Sequence, residues 1–282
     1  MTRRISSRTI AGSTRHIKKN AFNTRVHTQS NQDLVRLKYL NLLVGSLLVS
    51  CGLLTSADKP ASLALIQSVE IDVREPSGLT LDAENDFLYC VSDPPDNQIY
   101  KLDIDGNVLE ILDFEGEDLE GISFDSTDGS LWVVDEMKSE YIHVDLDGDV
   151  LSRARVNYNI TDVKNGLEGI CIRPDEQDVH IIKQKHEAAV IKIDMVELTQ
   201  SSKTFELDVD ITGICEGRGE DEFLILSAGQ KKMYEWSWDE GILATYSFDV
   251  NQAEGVVYDP GSSHIYVVCD SESILYTFKF PE

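Results

Sequence analysis

The run Leu119-Glu120-Gly121-Ile122-Ser123 returns 48 residues downstream as Leu167-Glu168-Gly169-Ile170-Cys171, and again as Ala253-Glu254-Gly255-Val256-Val257. Looser copies, Pro76-Ser77-Gly78-Leu79-Thr80 and Ile211-Thr212-Gly213-Ile214-Cys215, bring the set to five. The glycines at 78, 121, 169, 213 and 255 lie 43, 48, 44 and 42 residues apart. Each is followed by two more apolar, β-branched or aromatic runs, such as Leu131-Trp132-Val133-Val134-Asp135 and Tyr141-Ile142-His143-Val144-Asp145, divided by Asp, Gly and Asn turns. Helical periodicity is nearly absent. Short β-runs repeating at this interval are the pattern of propeller blades, because one four-stranded sheet cannot bury both its faces alone.

Most units add a fourth run, at Val108–Phe114, Val150–Val156, Thr204–Val209 and Ile242–Phe248. The fifth unit ends after its third run, Ile274–Phe278, while an unassigned β-like run, Leu63–Asp72, precedes the first unit. That run can complete the last blade, which pins the ring shut and hides two sheet edges. The sequence therefore predicts an all-β, five-bladed propeller over residues 63–282. A sixth blade would have to fit inside the longest spacing, which has no room for it.

The phrases Asp118-Leu119-Glu120-Gly121-Ile122, Gly166-Leu167-Glu168-Gly169-Ile170 and Ala253-Glu254-Gly255-Val256 resemble the SdiA-regulated family of bacterial envelope propellers. The resemblance covers about residues 63–282. It implies a single propeller behind an N-terminal membrane-targeting segment, and no assigned reaction. Similarity to NHL-type and phytase-like propellers is weaker.

Charge is divided unevenly along the 282 residues, whose formal net charge is −25. Residues 1–50 hold nine Lys and Arg against the single acid Asp33, so the remainder carries a net −33. A body this acidic repels phosphate backbones and excludes nucleic acid as a partner. Residues 1–34 are polar and aperiodic, which reads as an unfolded extension or a mis-assigned translation start. Arg36 and Lys38 then precede an apolar run from Tyr39 to Ser50 that ends at Cys51. A basic start, a dozen apolar residues and a small-residue exit are the layout of a signal segment, and the run is short for a spanning helix. Leu48-Val49-Ser50-Cys51 resembles a lipobox, which implies lipidation at Cys51. An uncleaved membrane anchor is the alternative. Either way, segment 35–51 attaches an exported body to the membrane of the cell envelope, with 52–62 as tether.

In a propeller the first strand of each blade lines the central channel, and the second runs back beside it. The start of the first and the end of the second therefore share one face. Glu120, Glu168 and Glu254 stand just before their glycines, and Asp93, Asp135 and Asp270 stand 14 or 15 residues after theirs. Converging carboxylates are costly without a cation or proton between them, and hard oxygen ligands in irregular array suit Ca²⁺. The alternative is that each Glu-Gly pair only shapes a turn. Lys183, Lys185 and His186 form a basic cluster at the same face, either solvated, or balancing the acids, or meeting an anionic substrate. Three functions follow: a binding or scaffold module holding Ca²⁺ for a small ligand or protein partner, a metal-dependent ester or phosphoester hydrolase, and a metal-free interaction module. Asp103-Ile104-Asp105-Gly106 and Asp145-Leu146-Asp147-Gly148 lack the ligand spacing of an EF-hand and read as hairpin turns. Cys90, Cys171, Cys215 and Cys269 fall within strands and read as buried thiols. Trp132, Trp236 and Trp238 read as packing between blades.

Overall fold

The computed structural model describes residues 60–158 and 166–281. The extension 1–34, the anchor segment 35–51 with Cys51, and residues 52–59 of the tether lie outside the described residues. Among the described residues there are 21 strands and no helix. The strands form five sheets, four of four strands and one of five. The blades, in chain order 1 to 5, begin with the inner strands Pro76–Leu81, Leu119–Asp125, Leu167–Arg173, Ile214–Glu216 and Ala253–Asp259. Each inner strand opens an antiparallel meander outward.

The ring closes as the sequence predicts. Ala64–Glu70 pairs antiparallel with Ile274–Lys279 and becomes the outer strand of blade 5. Just before it, Ala61 and Ser62 pair parallel with Tyr246 and Ser247 on the rim of blade 4. Ala61 and Ser62, the last residues of the expected tether, are thus part of the sheet of blade 4. Leu63, between these two pairings, is buried in the seam of blades 4 and 5. One segment thereby staples two blades and covers both their edges.

Blade 3 departs from expectation. Its outer strand is Gln200–Thr204, not Thr204–Val209. Asp194 Oδ1 accepts the Val196 and Glu197 N–H groups, and Leu198 takes a left-handed conformation. That tight turn starts the return strand at once, and the exposed polar run Gln-Ser-Ser-Lys-Thr carries no apolar signal.

The core is five seams, one between each pair of neighbouring blades. Phe223 and Trp236 of blade 4 meet Ile182 and Val190 of blade 3, and Tyr89 and Val91 of blade 1 meet Leu119 and Leu131 of blade 2. Each fully buried aliphatic or aromatic side chain contributes roughly 1.5–3 kcal/mol. Trp132 and Trp236 lie within seams as expected, with Trp238 packed against one.

At the axis, backbone meets backbone. A Cβ on Gly78 would lie 2.8 Å from Glu120 O, and one on Gly121 2.5 Å from Glu168 O. Gly169 abuts Ile214 N at 2.9 Å, Gly213 abuts Glu254 O, and Gly255 abuts Ser77 O at 2.7 Å, which completes the circuit. Five glycines in mutual register prove the blade number, since the fifth touches the first. Gly121→Ala should destabilise the fold by at least about 1–3 kcal/mol in urea denaturation, because the obstructing atoms are backbone and cannot turn aside. An unchanged midpoint would refute the close approach.

Candidate functional site

A local irregularity aims the candidate residues. Pairing with the second strand slips between Pro76 and Gly78, Leu119 and Gly121, Leu167 and Ile170, and Ala253 and Val256. A bulge re-aims the side chain it carries. Here it turns Ser77, Glu120, Glu168 and Glu254 toward one end of the channel, where all four line a recess of about 190 Å³. The channel beneath is closed by the glycine ring and by Leu79, Ile122, Ile170, Ile214 and Val256.

The recess has seven carboxyl groups in its wall: Glu75, Asp93, Glu120, Glu136, Glu168, Glu254 and Asp270. Five of the six expected ligands are therefore brought together. Asp135 is the exception. It stands 14 residues after its glycine and is wholly buried beside the following turn, where it accepts the Glu117 and Lys138 N–H groups and pairs with Lys138 Nζ at 3.2 Å. Glu136, one residue on, faces the recess instead. The two spacings are not equivalent, because neighbouring residues of an extended strand point to opposite sides. Position 14 holds Ser92, Asp135, Lys183, Ser227 and Cys269, all buried. Position 15 holds Asp93, Glu136, Gln184 and Asp270, all in the recess wall. Lys183 accordingly turns inward, while Lys185 lines the recess.

A further tier escaped the sequence reading. The N–H groups of Asp93, Glu136, Gln184 and Asp270 donate to the carbonyls of Glu75, Asp118, Gly166 and Gln252, each three residues before its glycine. This clamp lifts Glu75 into the wall and sets Asp118 beside Glu120 and Glu136, with one oxygen of each within 4.8 Å of the others. The signal was present as acids at that position in blades 1, 2 and 4: Glu75, Asp118 and Asp210.

Few donors answer these charges. Ser77 Oγ donates to Glu120 Oε2 at 2.7 Å, Gly166 N to Glu136 Oε1 at 2.7 Å, and Gln252 Nε2 to Asp270 Oδ2 at 3.2 Å. Glu254 Oε2 and Asp270 Oδ1 are buried with no donor among the described residues. Glu168 is 6% exposed. Burial, then Glu120, Glu254 and Glu136, hold its carboxyl well above the usual range. Burial does the same to Glu120. It pushes Glu254 up to about 8 with help from Asp270 and Asp210, Asp270 to about 7 with help from Glu75, and Asp93 to about 6 with help from Glu75 and Asp118.

The remaining candidates are structural. Asp103 and Asp145 cap their own turns, and Gly106 and Gly148 supply the left-handed residue. The four described cysteines are free and buried. Asp125, Asp128 and His143 gather at the other end of blade 2. Asp125 Oδ1 caps Thr127 and its Oδ2 accepts Trp132 Nε1, while Ser130 Oγ lies between Asp128 and His143, so the group is occupied by its own turn.

The sequence profile of the SdiA-regulated family matches residues 61–279. No curated protein matches the sequence. Among solved structures, glutaminyl cyclase of Myxococcus xanthus is similar at a TM-score of 0.62 and 11% identity, over 78% of this chain and 98% of that one. The β-propeller domain of Myceliophteria thermophila Cps50 (Swd1) gives 0.49 and 12%, over 78% and 69%. Virginiamycin B lyase from Staphylococcus aureus gives 0.47 and 15%, over 73% and 66%, so this chain spans about two thirds of it. At such identities the likeness is one of fold.

The raised carboxyls fix a pH dependence. Each holds its proton more tightly folded than unfolded, so the native state binds the extra protons and loses stability as pH rises. The loss runs through about 6 for Asp93, 7 for Asp270 and 8 for Glu254. In EDTA the melting temperature should fall between pH 5 and pH 8.5, and Glu168→Gln should flatten the fall. A rise across that window would contradict the site's electrostatics.

Proposed function

The chain belongs to the SdiA-regulated family, and on that footing we propose that it is an exported, membrane-attached propeller that holds a divalent cation, Ca²⁺ by preference, at its acidic mouth. The observation that carries this reading is Glu168, buried, accepting no hydrogen bond from the described residues, and within the field of Glu120, Glu254 and Glu136. Such a group either takes up a proton or meets a cation. Seven carboxyls in irregular array around an axis suit an ion that accepts six to eight oxygens and tolerates distortion. Glu120, Glu168 and Glu254, together with Glu136, Asp93, Asp270 and Glu75 in the same wall, would hold the ion through their carboxyl oxygens. The module then binds a small ligand or a protein partner at this face, with the ion as part of the binding surface.

The test is calorimetric titration of CaCl₂ into the metal-stripped full chain. Saturable heat that Glu120→Gln/Glu168→Gln abolishes is the expected result. No heat in either protein would leave the charges to protons and end the cation reading.

Export rests on the segment before the propeller, where the apolar run ends at Cys51. In cells fed labelled palmitate, the parent chain should carry the label and Cys51→Ser should lose it and leave the membrane fraction. Membrane retention of an unlabelled Cys51→Ser would point to the uncleaved anchor instead.

A further inference from the structure

Among the described residues, the recess wall contains one basic side chain, Lys185. Its placement is built. Lys183, buried beneath the loop, donates its ammonium to the carbonyls of Lys185 and His186. Gln184 is fixed on both sides, its N–H on Gly166 O at 3.1 Å and its carbonyl on Ile211 N at 3.2 Å. His186 and Glu187 then take left-handed conformations, with φ of 51° and 69°, and turn the chain into the next strand. The loop thus has a fixed base, and Lys185 rises from it as an exposed, flexible stem at the rim of the mouth. It shares the recess wall with Glu168 and Glu254, forms no close ion pair with either, and its charge weakly opposes the burial that raises both carboxyls. Glu168 is buried and accepts no hydrogen bond from the described residues, and Glu254 Oε2 is buried with no donor among them.

We propose that Lys185 is a tethered counter-ion for Glu168 and Glu254, which an incoming divalent cation must displace, so that this side chain sets the affinity of the mouth. The inference rests on the cation reading of the site. A lysine suits the task because its ammonium is a compact point charge on a four-carbon stem, able to leave without breaking a two-pronged contact as an arginine would. While in place it offsets two buried carboxylates. Once an ion enters, it repels that ion and has to swing into water. Lys183 is the positioning residue, since it holds the two carbonyls that flank the stem.

The experiment titrates CaCl₂ by calorimetry into the metal-stripped full chain and into Lys185→Met and Lys185→Arg, with melting curves in EDTA at pH 8. Lys185→Met should bind Ca²⁺ more tightly by on the order of tenfold, the scale of one charge interaction near a protein surface. It should also melt lower than the parent in EDTA, whereas Lys185→Arg should keep the parent's stability. Unchanged or weaker binding in Lys185→Met, beside normal binding in the parent, would overturn the displacement mechanism and leave the cation site standing. No heat in any of the three proteins would overturn both together.

Discussion

Five strands converge on one axis so closely that no side chain fits between their backbones, and this contact organises the rest of the molecule. Gly121 faces Glu168 O at 2.5 Å and Gly255 faces Ser77 O at 2.7 Å, counted from where a Cβ would stand. None of these glycines needs an unusual φ. They are there for space alone. The same approach disturbs the inner ladder, and the slip between Leu119 and Gly121 has its counterparts in three other blades. A strand that bulges there must present the preceding side chain along the axis. The contact that closes the neck therefore also furnishes the mouth, and stability and site cannot be separated at these positions.

Elsewhere the chain treats buried acids conventionally. Asp178 is met by Arg173 at 2.8 Å and Lys192 at 2.7 Å, Glu235 by Arg218 at 2.8 Å, and Asp135 by Lys138 at 3.2 Å. Asp125 and Asp259 cap the N–H groups of their own turns. A buried carboxylate left without such partners is strongly unfavourable, which is why proteins seldom keep one. The mouth breaks this habit, with the exposed Lys185 the one basic side chain among the described residues of a wall that holds seven carboxyls.

The period, the blade number and the closing strand were legible in the sequence because each leaves a mark in it: a glycine, an apolar run, a run without a partner. The glutamates before the glycines were legible for the same reason. Side-chain direction was not. Asp135 and Glu136 differ by one position, and only the end point of the strand decides which of them faces the axis. Glu75 and Asp118 were hidden because they precede the strand, and they enter the wall through backbone pairing with Asp93 and Glu136 that no composition records. Blade 3's outer strand was misplaced because its exposed, polar residues carry no alternation, and a turn rather than a pattern sets its register.

The five blades also provide an internal control on what the glutamates are for. If the residue before each glycine merely tied one blade to the next, a short hydroxyl would suffice, and two blades show that it does. Ser77 Oγ reaches Glu120 of the next blade at 2.7 Å, and Thr212 Oγ1 reaches Ala253 O of the next at 2.7 Å. Both are neutral, buried and satisfied. Glu168 occupies the same position, equally buried, and accepts no hydrogen bond from the described residues. Ser77 sits on the same slip of the inner ladder as Glu168, so the turn does not call for its charge. Three carboxylates where two blades manage with hydroxyls raise the electrostatic cost of folding, and geometry alone gives no return on it. Such a group either takes up a proton or meets a cation, and Lys185 is the basic side chain that the described residues place in the same wall.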